Sequence, residues 1–250
     1  HIGGANEWCS KLAVKIGAMP VITTATDARG MFAVDIFATE HNMRIVNPVM
    51  IKDISGRILN NEPVGITGND KYKNLLKVTE ERWNGQIKYT DNSNNEYESG
   101  VQIITGKDDK IVFKCTLKLV PQELAVGIGC KKGKSANEIE RAVKKTFDKA
   151  GLLLEAIAVV ASVDRKADEA GIIEFARKCK VPYKTYTPEY LRDVEGDFVS
   201  SAFVEEQIGV GNVCERSAGA ASSGGEKLVG KTADNGVTVA IYRVAQKNKE

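Results

Sequence analysis

The chain has 250 residues, 42% of them hydrophobic, which is enough to bury a substantial core in one or two domains. Its 35 basic and 33 acidic side chains leave a formal charge of +2, so nothing global points to nucleic acid and any anion site must come from local clustering. Five cysteines (Cys9, Cys115, Cys130, Cys179, Cys214) show no CxxC or zinc spacing, and no apolar run approaches the roughly 18 residues of a membrane span.

Scattered, reduced thiols and the absence of a signal peptide make the cytoplasm the expected location, with no membrane and no nucleic acid as partner. The chain opens on His1 rather than methionine. The expectation is that it begins inside a longer reading frame.

In chain order, Trp8, Leu12 and Ile16 predict a helix over 4–17, and Val21 to Ala25 a short strand after Pro20. Met31 to Ala38 reads as a buried helix. Pro48 to Leu59 reads as a helix capped by Asn47, with Pro48 in the first position and Ile51, Ile54 and Ile58 on one face. Residues 68–110 are polar. Gln86 to Thr90, Gly100 to Thr105 and Lys110 to Leu119 are expected to form a small antiparallel sheet.

Pro121 marks a boundary, after which the pattern alternates as in an α/β domain. Strands are expected at Leu124 to Gly129, Ala156 to Val163 and Tyr183 to Tyr186. Helices are expected up to about Ala150 and at Asp168 to Lys180. A turn at Gly209 to Gly211 leads to a short helix through Ala221, and strands close the chain at Lys227 to Lys231 and Gly236 to Val244. The fold class is therefore α/β: a C-terminal domain over 121–250 with a central sheet flanked by helices, the remainder of an N-terminal α/β lobe over 1–45, and a mostly β middle region over 46–120.

Three clusters carry candidate chemistry. Gly127-Ile128-Gly129-Cys130-Lys131-Lys132-Gly133-Lys134-Ser135 connects a strand to a helix, and Ser135 with Glu138 makes a capping box. Free backbone N–H groups, the helix dipole and three lysines converge there, which suits a carboxylate or phosphate. It is not a Walker A loop: the first glycine would have to be residue 128, which is Ile. The alternative is a tight turn with solvated lysines.

The second cluster, Ala161 to Glu169, lies past the carboxyl end of a strand, where open α/β sheets bind ligands. Ser162, Asp164, Lys166 and Glu169 are of the right types for acid/base work or for pairing with a charged substrate. Asp168 and Glu169 would equally favour the N-terminus of the next helix. The third cluster pairs Gly3, Gly4, Asn6 and Glu7 with Thr23, Thr24 and Asp27. Gly3-Gly4 lets a ligand approach the backbone and the threonines supply hydroxyls, although Glu7 also suits a helix start electrostatically. With only His1 and His41, a Ser-His-Asp arrangement has few possible members. Cys130 sits among lysines expected to lower its pKa, but no partner for a nucleophile is evident.

Taken together, these motifs resemble the CbiG family. They are His1 to Glu7, Pro20 to Asp27, Phe32 to Asp35, Gly127 to Gly133, Ala161 to Glu169, Gly209 to Ala221 with Glu215 inside it, and Val237 to Arg243. The resemblance covers residues 1–60 and 121–245, and the C-terminal domain alone is similar to CobE. Lysines at 131 and 132 stand where the family has arginine, keeping the charge but losing the bidentate fork.

The resemblance implies a hydrolase of anaerobic cobalamin biosynthesis that opens the lactone of cobalt-precorrin-5A and releases acetaldehyde. The alternative it leaves is a corrinoid-binding protein without catalysis. Cobalt would arrive with the tetrapyrrole substrate, with no separate cofactor and no protein metal site. Other enzymes of the pathway are the implied partners. Candidate bases are Glu7, Asp164 and Glu169. Candidate substrate contacts are Gly3, Gly4, Asn6, Thr23, Thr24, Asp27, Gly129, Lys131, Lys132, Lys134, Ser135, Ser162 and Lys166, from both lobes around a shared ligand.

Overall fold

A computed structural model describes residues 12, 15, 16, 30–91, 96–107, 109–196, 198 and 211–245. The chain divides into two compact units: His1–Ile104 with Asp109–Pro121, and Thr105–Asp108 with Gln122–Glu250. The expected cluster at Gly3 to Asp27 lies outside the described residues.

The first unit holds α1 (Val34–Glu40), β1 (Met43–Ile45), α2 (Ile51–Leu59), β2 (Val64–Thr67), α3 (Lys73–Arg82), β3 (Ile87–Tyr89), β4 (Ser99–Ile103) and β5 (Cys115–Pro121). Phe32, Val34, Phe37, Ile54, Ile58, Leu76 and the inward residues of the strands form one core. Each such apolar side chain contributes about 1.5–3 kcal/mol by leaving water. Because α1 and β1 share this core with everything up to Pro121, no boundary at residue 45 separates them.

The sheet order is β1-β5-β4-β2-β3. The expectation of a small antiparallel sheet is corrected here. β2 pairs parallel with β3 and with β4, and β4 parallel with β5; only β1 runs antiparallel, to β5. The polar reading of 68–110 missed α3, whose inward side consists of little more than Leu76 and Thr79. That helix is the crossover that lets β2 and β3 run parallel. The middle region is thus part of an α/β layer rather than mostly β.

Asn47 also departs from expectation. The helix starts with a 3₁₀ turn at Pro48–Met50, and Asn47 makes no side-chain cap. Instead its Nδ2 donates to the Thr116 carbonyl at 2.8 Å and its Oδ1 accepts from Lys118 N–H at 2.8 Å, which ties the segment to β5.

The second unit holds β6 (Leu124–Cys130), α4 (Ala136–Lys149), β7 (Ile157–Val163), α5 (Ala170–Cys179), β8 (Tyr183–Tyr186), α6 (Pro188–Asp193), α7 (Val213–Ser222), β9 (Lys227–Asp234) and β10 (Val237–Arg243). Its sheet order is β8-β7-β6-β10-β9, with β6, β7 and β8 parallel and β10 antiparallel to both its neighbours. The apolar runs of β6 and β7 are buried almost throughout, as strands covered on both faces must be. α7 rests so closely on β6 that a Cβ on Gly127 would stand 1.8 Å from the Cys214 carbonyl oxygen.

Candidate functional site

In the second unit the carboxyl ends of β6 and β7 both feed helix starts through short polar loops, and those loops meet. Ser135 caps α4: its hydroxyl accepts from Glu138 N–H at 3.3 Å, while Glu138 returns a bond to Ser135 N–H at 3.0 Å. Lys134 Nζ adds an ion pair to Glu138 at 2.8 Å. Lys134 and the Ser135 contacts hold the Glu138 carboxyl down at about 2. Lys134 is therefore engaged in the helix start, whereas Lys131 and Lys132 are exposed.

The second loop follows β7 as a 3₁₀ turn, Asp164–Lys166, before α5. The side chain of Glu169, in the N-cap position, does not cap its own helix. Its Oε1 accepts from Gly133 N–H at 2.8 Å in the neighbouring loop, and its Oε2 pairs with Lys166 Nζ at 2.8 Å. Burial acts to raise the Glu169 pKa, but Lys166, the Gly133 N–H and the Lys132 charge outweigh it, and the carboxyl lies below its ordinary value. The backbones touch here as well, since a Cβ on Gly171 would meet the Lys134 carbonyl oxygen at 2.0 Å. Glu169 is thus a clamp between two loops, with both oxygens occupied.

Other expected site residues serve the framework. Ser162 is fully buried and donates to the Ile128 carbonyl at 2.7 Å, joining β7 to β6. Gly129 pairs with Thr238 in β10, whose hydroxyl donates to the Gly129 carbonyl at 3.2 Å. The Lys166 carbonyl accepts from Tyr183 Oη at 2.8 Å, and burial pushes that phenol up to about 12, so it remains a donor. Cys130 is a correction: burial outweighs Lys166 and Lys134, and its thiol is raised, not lowered.

Asp164 stands apart. Its Oδ1 is buried and has no hydrogen-bond partner among the described residues. Asn212 and Glu215, at the start of α7, hold the same kind of atom at Nδ2 and Oε2. The sequence reading did not place Asn212, although an asparagine directly before an apolar helix is itself a capping signal.

These features define a two-unit α/β protein whose second unit has a candidate ligand edge: exposed lysines beside a capped helix start, and a carboxylate oxygen without a partner among the described residues at the end of the adjoining strand. Three family descriptions match the chain in order: Cobalamin synthesis G N-terminal over 1–27, Cobalamin biosynthesis central region over 32–162, and Cobalamin synthesis G C-terminus over 124–242. The chain belongs to this cobalamin synthesis G (CbiG) family. The middle of the chain, generic by its motifs, is covered by the central-region description.

Among relatives, the cobalt-precorrin-5A hydrolase of Salmonella typhimurium is 31% identical over 244 residues, covering 96% of this chain and 68% of its own length. The cobalt-precorrin-5A hydrolase of Priestia megaterium is 26% identical over 201 residues, covering 78% of this chain and 54% of that protein. Among solved structures, CobE from the cobalamin pathway is similar to 51% of the chain, with 94% of CobE covered, 29% identity and a TM-score of 0.47. A cobalamin biosynthesis protein G homolog from Sulfolobus solfataricus covers 97% of this chain and 68% of its own, at 20% identity and a TM-score of 0.42.

Proposed function

We propose that this chain hydrolyses cobalt-precorrin-5A, opening its lactone with release of acetaldehyde. The observation that carries this reading is the alignment of 96% of the chain with a relative named for that reaction. The site supports it chemically. Lactone opening requires an activated water and donors for the carbonyl oxygen. Of the two expected bases among the described residues, Asp164 keeps an unoccupied buried oxygen, whereas Glu169 is committed to Gly133 and Lys166. Glu7 lies outside the described residues. Lys131 and Lys132 face the solvent where the carboxylate-rich rim of a tetrapyrrole would lie, and cobalt belongs to the substrate.

Purified protein supplied with cobalt-precorrin-5A should release acetaldehyde, measured by a coupled alcohol dehydrogenase assay. Binding of the corrinoid without release would leave a carrier and not an enzyme. Asp164→Asn should keep its fold and lower kcat by roughly a hundredfold or more, the scale on which a lost general base acts. Turnover near the wild-type rate would remove Asp164 from the chemistry.

A further inference from the structure

We propose that Asn212 is the side-chain donor that stabilises the oxyanion during lactone opening, acting from the N-terminus of α7. This rests on the hydrolase reading above. Val163, Leu191 and Val213 form one buried cluster. Asp164 directly follows the first of these and Asn212 directly precedes the last, so the two polar residues flank the same packed contact. Asn212 is 1% exposed. Its Oδ1 is used, accepting from Glu215 N–H at 3.3 Å and from Cys214 Sγ at 3.4 Å. Its Nδ2 has no partner among the described residues.

The amide cannot be turned over to resolve this, because Nδ2 facing the Glu215 N–H would set two donors together. Asn212 is also held in the left-handed region, φ 58° and ψ 58°, which asparagine tolerates better than most residues. Buried donors are almost always partnered, and we assign this amide the lactone carbonyl oxygen as its acceptor. The surroundings favour a negative one, since the first N–H groups of α7 have no intrahelical partners and the helix dipole is positive at that end. The Glu215 carboxylate does not occupy the amide: it accepts from Lys231 N–H and lies 3.7 Å from Lys227 Nζ.

In the step itself, the water oxygen bonds to the lactone carbonyl carbon as Asp164 takes one of its protons. The carbonyl electron pair moves onto the oxygen, where Asn212 donates. When that pair returns, the bond to the ring oxygen breaks, and the proton on Asp164 passes to the departing alkoxide. Water is the only co-reactant, and no redox change occurs.

Two variants separate this role from helix capping. Asn212→Asp keeps an oxygen over the Glu215 N–H but replaces the donor by an acceptor. Asn212→Gly keeps the left-handed backbone and lacks the side chain, a change that usually costs little at a cap. With cobalt-precorrin-5A as substrate, both should lower kcat by 100-fold or more, the range for one oxyanion donor, with KM within about twofold and melting within a few degrees of wild type. A kcat within about threefold of wild type in a folded variant overturns the proposal. So does a loss confined to KM, which marks uniform binding. Loss of folding in both variants would assign Asn212 to the cap alone and also overturn it. An inactive wild-type chain would instead overturn the hydrolase reading, and this role with it.

Discussion

Glu169 illustrates how one side chain joins two loops that lie far apart in the sequence. Bound to Gly133 N–H and paired with Lys166, with side chains only 9% and 15% exposed, it holds the two loops in register. Replacing it by Gln leaves the Lys166 ammonium without its charge partner. Glu169→Gln should therefore cost about 1–3 kcal/mol of stability, measured by urea denaturation at pH 7. The pH dependence has a defined sign. Because the folded pKa of Glu169 is lowered, its contribution is complete above the unfolded value of about 4.3 and is lost as pH falls through the folded value. The stability gap between wild type and Glu169→Gln should thus narrow as pH falls below about 5. A gap that stays constant across that range would show that the carboxylate is not the source.

At the scale of elements, the placement of α7 decides whether an edge exists at all. It packs with backbone against backbone on β6, which Gly127 permits because it has no Cβ. Gly127→Ala sets a methyl 1.8 Å from the Cys214 carbonyl oxygen, a contact that only a shift of the helix can relieve. Such overpacking costs typically 1–3 kcal/mol and more where backbone opposes. Chemical denaturation of Gly127→Ala should show a loss of at least about 3 kcal/mol. A loss under about 1 kcal/mol would mean that α7 yields easily, and Asn212 would then have no fixed position from which to donate.

The Ser135/Glu138 capping box was legible from spacing alone, because a cap is local: the donor and acceptor lie three residues apart and nothing distant is needed. The Glu169 clamp was not legible, since its partner Gly133 is 36 residues away and the pairing exists only once two loops meet. The same distinction explains Ser162, whose type suggested a substrate contact while its buried position assigns it to the Ile128 carbonyl.

For the whole molecule, the split after Pro121 leads to a direct test. Gln122–Glu250 contains a complete sheet, helices on both faces and its own buried residues, and it exchanges only the short segment Thr105–Asp108 with the rest of the chain. That segment contributes a bridge from Gly106 to Leu152, a Lys107 N–H bond to the Gly151 carbonyl, and an ion pair from Lys107 to Asp148. Residues 122–250 alone should be soluble and melt in one cooperative transition, somewhat below the full chain for want of that segment. A broad, non-cooperative melt would show that the unit depends on the residues before it.

The sequence by itself determined the α/β alternation after residue 121, the strand-loop-helix at Gly127 to Ser135, the polar turn after β7 and the family. All of these are written in short-range periodicity, turn chemistry and motif order. The tertiary structure alone decided that β2, β4 and β5 run parallel, that Glu169 closes one loop onto another, and that Asp164 and Asn212 flank the same packed contact. Periodicity records which side of an element is buried and not which strand lies beside it, and a hydrogen bond between distant loops leaves no trace in local spacing.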